Sequence, residues 1–403
     1  MRSKSPQALF DTMEGIEINP DPEGLSDDQT KDYQQALGFL RCYIGSKGTF
    51  NSYRREVERL LQYCWYIAGT TLPQVKRVNI EEFISFSISP PKAWIGLSKP
   101  PRFINTEGVR VPNPKWRPYV VTVSKSARKR GKKLKKEKYA ISEGSIKEML
   151  AILSSFFNFM LQEEYLLSNP IALLRQKSKY YSKRQGPAKI LRLSNKQWGT
   201  VMDVAYELAE DDPDKHERTL FILSVIYLMY LRISEVCVSD RWAPSMNHFS
   251  RDHDGLWWFN TVGKGNKARD IPVSDDMLKA LKRWRKHLGL TALPSQTDDS
   301  PLIPKLRGKG GISDPSNVRD IVQNCFDLAE KKLRDSGLTV EADLLMDATV
   351  HWLRHTAISE DVKTRPREHV RDDAGHGSSA TTDGYIDVEL KERHRSAKKK
   401  KIV

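Results

Sequence analysis

A chain of 403 residues with 66 Lys and Arg against 51 Asp and Glu carries a formal charge of +15 and a pI near 9.4. Its hydrophobic content of 39% is low for a globular protein but above that of a disordered one, and the length suffices for two domains with separate cores. The longest apolar run, Leu220 to Leu231, is about 12 residues against the roughly 20 of a spanning helix, so the excess of positive charge points to nucleic acid rather than to a membrane. The first residues are acidic and lack the apolar core of a secretory signal. Cys42, Cys64, Cys237 and Cys325 form no CxxC pair and have no His at zinc-ligand spacing. These features predict a reduced, cytoplasmic protein without a structural metal.

Residues 1–30 read as an acidic mobile leader, since Pro20, Pro22 and Gly24 break structure and seven acids lie between Asp11 and Asp28. Thr49 to Ala68 is predicted as a helix capped by Thr49, with Tyr53, Val57, Leu60, Leu61 and Cys64 at spacings of three and four. A short helix is expected over Ile80 to Phe86. From Ser87 to Ala140 seven prolines dissolve the pattern, and Lys125 to Lys138 then holds nine Lys or Arg in fourteen positions. That run, including Arg128, Lys129, Arg130, Lys132 and Lys133, reads equally as a solvated loop or as a contact to DNA phosphates, which would add affinity rather than sequence choice. Ser145 to Leu166 carries one wide apolar stripe and ends before Asn169-Pro170.

Polar, basic residues around Gly186-Pro187 read as an interdomain linker. A helix capped by Ser194 should run to Ala209, and Thr219 to Val238 reads as a long buried helix or two abutting ones. Leu256 to Phe259 and Ala268 to Val273 are predicted strands around the turn Gly263 to Lys267. Helical pattern then continues to Glu389, interrupted at 294–300 and 308–311.

The second half contains Arg232 and Glu235 at the end of the buried segment, Lys264 in the glycine turn, His351 and Arg354 one helical turn apart, His376 after a glycine, and Tyr385. Each has an ordinary structural reading taken alone: a snorkelling arginine paired with Glu235, a solvent-exposed turn lysine, a half-buried tyrosine. Together they are the groups that attack on a phosphodiester needs in the absence of a metal. Two guanidiniums can hold the non-bridging oxygens as charge grows. A phenol can store the cut strand as a phosphodiester, a lysine can protonate the leaving oxygen, and a histidine can move the nucleophile's proton.

The order Arg, Lys, His-x-x-Arg, Gly-His, Tyr resembles the tyrosine recombinase (phage integrase) family, whose catalytic design is shared with type IB topoisomerases. The matching segments are Tyr230-Leu-Arg-Ile-Ser-Glu235, Val262-Gly-Lys-Gly-Asn-Lys267 followed by Ile271-Pro-Val273, His351-Trp-Leu-Arg-His-Thr356, and Ala374-Gly-His through Tyr385-Ile386. The resemblance covers about 185–390 strongly, and the helices at 49–86 and 142–168 more weakly. It implies a mainly α fold with a small antiparallel β-sheet: a helical core-binding (SAM-like) domain over 31–175 with a Pro/Lys-rich insertion at 87–140, a linker at 176–190, an α+β catalytic domain over 191–390 and a basic tail at 391–403. The two domains would form a C-shaped clamp on DNA.

It further implies that Arg232 and Arg354 hold the phosphate, Lys264 is the general acid with Lys267 as its runner-up, and Tyr385 is the nucleophile. His351 would be the proton-transfer base, His376 a hydrogen-bond donor to phosphate, and Glu235 an orienting residue. No cofactor is implied. The partners implied are double-stranded DNA at specific sites and further copies of the chain, a tetramer in synapsis; an accessory DNA-bending protein is left open. Strand relaxation by a type IB topoisomerase-like enzyme and DNA binding without catalysis are the alternatives. Three departures from the family pattern stand out: Tyr230 in place of a small residue, Trp352 in place of an acid, and Asp372-Asp373 in place of apolar residues before Gly-His.

Overall fold

The computed structural model describes residues 5–16, 22–172, 174, 191–263, 265, 267–378, 381–382, 385, 397–398 and 400. The chain divides into two compact units, Met1–Gln185 and Gly186–Val403. The linker expected at 176–190 lies outside the described residues, as does most of the basic tail at 391–403.

In the first unit α1 (Asp27–Arg41) opens with a capping box between Ser26 and Gln29. Helix α2 (Lys47–Tyr63) runs on as a π-turn over Cys64–Ala68 and stops at Gly69, whose φ of 63° suits a residue without Cβ. Then follow α3 (Arg77–Ile88), β1 (Ile95–Gly96), β2 (Phe103–Thr106), β3 (Val109–Pro112), β4 (Tyr119–Val120), α4 (Lys125–Lys129) and α5 (Glu143–Gln162). The expected stripe of α5 is buried at Ile146, Met149, Leu150, Leu153, Phe156, Phe157 and Met160. It packs with α1 and α2 around Phe39, whose ring meets Tyr53 face to face at 5.5 Å and Phe156 edge-on at 5.1 Å.

Three expectations are corrected here. Thr49 does not cap α2; Ser46 holds that position, and its hydroxyl lies 2.9 Å from that of Thr49. The stretch 87–140 is not a pattern-free loop: β1 pairs in parallel with β4, β2 and β3 form a hairpin turning at Glu107-Gly108, and Trp94, Ile95, Tyr119 and Val121 make a small core. The leader is not free over its described residues either. Leu9, Phe10 and Asp11 are buried, Phe10 stacks on Tyr33 at 4.9 Å, and the backbone N–H of Leu9 donates to Glu58 at 2.5 Å. The leader's acid meets arginines of the insertion: Arg110 from β3 pairs with Asp11, while Arg102 pairs with Glu58 of α2. Of the leader's acids, Asp11 is thus held at a buried ion pair rather than in a mobile segment.

The second unit starts with α6 (Asn195–Asp211), capped by Ser194 as expected, and α7 (Pro213–Leu228). Strands β5 (Phe249–Arg251), β6 (Trp257–Val262) and β7 (Ala268–Pro272) form one antiparallel sheet in that order. Phe249, Phe259 and Ile271 lie side by side across it and face the core. Then come α8 (Asp275–His287), α9 (Pro315–Asp335), α10 (Thr339–Leu345), α11 (Val350–Asp361) and α12 (Arg367–Ala374). The helix expected over Thr219 to Val238 stops ten residues early, at Leu228. Tyr230 has a φ of 49°, which no α-helix admits, and only a 3-10 turn at Ile233–Glu235 follows.

If the leader is docked as described, Phe10→Ala should destabilise the first unit by about 3 kcal/mol, the size of a buried aromatic deletion. Urea unfolding followed by fluorescence measures it, and an unchanged midpoint would mean that the leader contributes nothing to the core.

Candidate active site

The break after α7 presents Arg232. A left-handed backbone at a bulky residue costs about 1–3 kcal/mol, and the side chain of Tyr230 supplies compensating contacts. Its buried phenol donates to Asp361 and accepts from Nη1 of Arg365 at 2.8 Å, while Nη2 of Arg365 reaches Asp373 at 2.6 Å. Two departures from the family pattern, Tyr230 and Asp373, are thus joined through one arginine. The third, Trp352, is 8% exposed and packs in the core.

The carbonyl of Tyr230 then faces α11 and accepts from Nη1 of Arg354, whose Nη2 donates to the carbonyl of Ala374. Two residues past Tyr230, Arg232 enters the 3-10 turn, and Glu235 folds back on it. The Glu235 carboxylate accepts from the Arg232 backbone N–H at 2.7 Å and from its Nη1 at 3.0 Å. From β7, Arg269 adds a two-pronged bond to the same carboxylate at 2.8 and 2.9 Å, and its Nε donates to the carbonyl of Asp373. Close approach here demands Gly263: a Cβ at that position would lie 2.7 Å from Arg269 Nη1 and 3.0 Å from Glu235 Oε1. Gly375, at φ 61°, ends α12 and offers its carbonyl to Nη2 of Arg232 at 3.1 Å.

Helix α11 brings His351, Arg354 and His355 to this cluster. His351 is exposed, whereas Arg354 is 3% exposed. The Nδ1 of His355 lies 2.6 Å from the hydroxyl of Tyr385, which is 7% exposed. His376 stacks on Tyr385 with centroids 5.5 Å apart, and its Nδ1 is 2.9 Å from the hydroxyl of Thr382.

Electrostatics follow from burial. Burial would raise the Glu235 carboxyl, but the Arg269 fork and then Arg232 outweigh it and hold the acid below its usual value. Desolvation first, and then the charge of Arg232, pulls Arg354 down to about 9. Desolvation also lowers His355 and His376 to about 4, helped by neighbouring positive charge, and lowers His351. Tyr385 is raised by burial, against the pull of Arg354 and Arg232. One carboxylate among three guanidiniums leaves the cluster net positive, which suits an anion whose charge grows during reaction.

Of the residues singled out from sequence, Arg232, Glu235, Arg354, His376 and Tyr385 converge here. His351 lies beside His355, with ring centroids 5.0 Å apart. Lys264 lies outside the described residues; Lys267 is exposed, and its carbonyl closes the β6–β7 turn onto the N–H of Gly263. Arg128, Lys129, Arg130, Lys132 and Lys133 belong to the first unit and are all exposed. Two residues were missed. Arg269 sits two positions beyond the glycine turn on a strand, where its side of the pleat was readable but its partner was not. His355 was visible in His-Trp-Leu-Arg-His, yet nothing in that string says which imidazole meets the tyrosine.

Two outcomes test this geometry. Glu235→Gln leaves buried guanidiniums without their countercharge and should destabilise the second unit by about 3–5 kcal/mol in chemical unfolding. The depressed histidines set a pH dependence. Unfolded imidazoles bind protons below about 6.5, the folded ones only near 4, so stability is intact above 6.5 and falls as pH drops through that window. Replacing His355 and His376 together by Gln should flatten the fall in a pH series of thermal melts.

No model of a known protein family matches the chain. It is 27% identical over 256 residues to tyrosine recombinase XerC of Xanthomonas axonopodis pv. citri, covering 62% of this chain and 69% of that one. It is 28% identical over 257 residues to tyrosine recombinase XerC of Thermodesulfovibrio yellowstonii, covering 62% and 73%. Its fold is similar to that of the XerH site-specific recombinase in a post-cleavage complex with palindromic difH substrate, with a TM-score of 0.55, 14% identity and 93% and 91% of the two chains covered. The relatives share one family name and the fold agrees with it: the chain is similar to the tyrosine recombinases in sequence and in fold.

Proposed function

We propose that the chain is a site-specific DNA recombinase that cuts and rejoins strands through a 3′-phosphotyrosyl bond to Tyr385 and a Holliday junction. The observation that carries this reading is the convergence of Arg232, held by Glu235 and the Gly375 carbonyl, Arg354, held by the Ala374 carbonyl, and Tyr385, whose hydroxyl lies 2.6 Å from His355, the residue after Arg354 on α11. The two arginines hold the non-bridging oxygens of the scissile phosphate, and Glu235 with Arg269 keeps Arg232 aimed. Tyr385 attacks phosphorus, and the leaving 5′ oxygen takes a proton from Lys264, with Lys267 of the same turn as the runner-up. His376 donates a hydrogen bond to the phosphate once Tyr385 has engaged it. Bond energy is kept in the phosphotyrosine, so no ATP enters.

The partner is double-stranded DNA, on which copies of the chain assemble, four of them in synapsis. The exposed cations of Arg128, Lys129, Arg130, Lys132 and Lys133 supply sequence-independent phosphate contacts from the first unit. Integration, excision and dimer resolution all run through the same chemistry.

Covalent trapping tests the chemistry. Nicked suicide duplexes bearing the DNA that flanks the gene, in EDTA and without ATP, should yield a denaturation-resistant adduct on the 3′ side, and Tyr385→Phe should yield none. Tight binding with no adduct from the wild type would leave a DNA-binding protein only. The basic run has its own measure: with those five residues changed to Ala, the slope of log affinity against log salt should shrink by up to about 4–5 units. An unchanged slope would remove that run from the DNA interface.

A further inference from the structure

We propose that His355, rather than His351, takes the proton from the Tyr385 hydroxyl during strand cleavage. This deepens the recombinase reading and rests on it. Three imidazoles lie around the nucleophile, and their contacts differ. His376 stacks flat on the Tyr385 ring and turns its Nδ1 to Thr382. His351 sits at the exposed start of α11 with its ring edge-on to His355. His355 has a ring nitrogen 2.6 Å from the phenolic oxygen itself. A general base has to be within hydrogen-bond reach of the proton it removes, and of the three His355 meets that condition.

Its surroundings fit the task. His355 follows Arg354 on a regular helix, so the base and a phosphate-binding guanidinium are fixed to one rigid element. Burial, with His351 and Arg354 nearby, keeps the ring neutral at ordinary pH, so that Nδ1 can accept while Nε2 carries the hydrogen. The same cations make the imidazolium unstable once formed, which favours return of the proton on rejoining.

The step balances. As the bond from the Tyr385 oxygen to phosphorus forms, its O–H bond breaks and the proton moves to Nδ1 of His355. The bond from phosphorus to the 5′ oxygen breaks, and that oxygen leaves as a hydroxyl with a proton from Lys264 or Lys267. In the second half a 5′ hydroxyl attacks phosphorus and gives its proton back to the lysine, the phosphotyrosyl bond breaks, and Tyr385 recovers its proton from His355.

Single-turnover adduct formation on nicked suicide DNA provides the test, with an oxygen or a sulfur at the bridging 5′ position of the cleaved bond. Sulfur leaves without a proton, so it removes the need for the general acid and spares the base. His355→Gln should slow cleavage at least about 100-fold on both substrates. The lysine variant that impairs general-acid transfer should be slow on oxygen and restored on sulfur. His351→Gln should stay nearer the wild type than His355→Gln on both. His355→Ala should regain rate with added imidazole. A His355→Gln enzyme that cleaves at the wild-type rate or faster would overturn the proposal, as would one restored by sulfur. Circular dichroism and DNA binding check that the variants fold. The wild type gives an arm needing no variant of His355: with 15N-labelled histidine, its Nδ1 should be unprotonated and its shift should move in Tyr385→Phe. An Nδ1–H tautomer would overturn the proposal whatever the variants do. If the wild type forms no adduct at all, the recombinase reading itself fails, a result distinct from any of these.

Discussion

Everything in the second unit's site depends on one buried carboxylate. Glu235 is 1% exposed and accepts from two arginines and a backbone N–H, so its charge is fully used. Like-charged guanidiniums repel at this range, and in a low-dielectric setting they would scatter without a shared anion. By drawing Arg232 and Arg269 together, Glu235 fixes the 3-10 turn after α7 to strand β7. Arg269 in turn reaches the carbonyl of Asp373, which fixes the loop that carries His376. The site is therefore assembled from the outside inward, and it is left with net positive charge.

Arg354 is held in another way. Two backbone carbonyls, those of Tyr230 and Ala374, fix it. Carbonyls position a guanidinium while leaving its charge uncancelled, which preserves its pull on an anion. The strain at Tyr230 is tied to this, because the left-handed turn is what aims that carbonyl at α11. The Tyr230–Arg365–Asp373 chain then anchors both carbonyl-bearing loops to each other. A small residue would take the turn with less strain, and this chain instead uses a large one whose phenol makes compensating bonds.

The first unit uses charge differently. Asp11, Glu58, Arg102 and Arg110 join leader, helix and insertion into one structure, with Arg54 donating to the carbonyl of Asp11. Such pairs contribute little net stability by themselves, but they fix which segments can meet. The cations of the Lys125–Lys138 run that face solvent give that face of the first unit a positive potential.

Much was legible in sequence because it is written locally. The apolar stripe of α5, the Ser194 cap and strands β6 and β7 follow from periodicity, capping chemistry and residue type, and the ordered set Arg232, Glu235, Arg354, His376 and Tyr385 was legible through its resemblance to the tyrosine recombinase motifs. What sequence could not give were pairings between distant segments. Asp11 read as part of a mobile acidic leader because its partner Arg110 lies about a hundred residues away. The helix after Thr219 read as continuous because Met229 and Leu231 keep its apolar pattern, while a left-handed Tyr230 has no signature without its partners Asp361 and Arg365. Composition and spacing determined which chemical groups this protein carries. Only tertiary structure decided which carboxylate organises the arginines and which imidazole meets the tyrosine, because those choices are set by distances across the fold that a linear pattern does not contain.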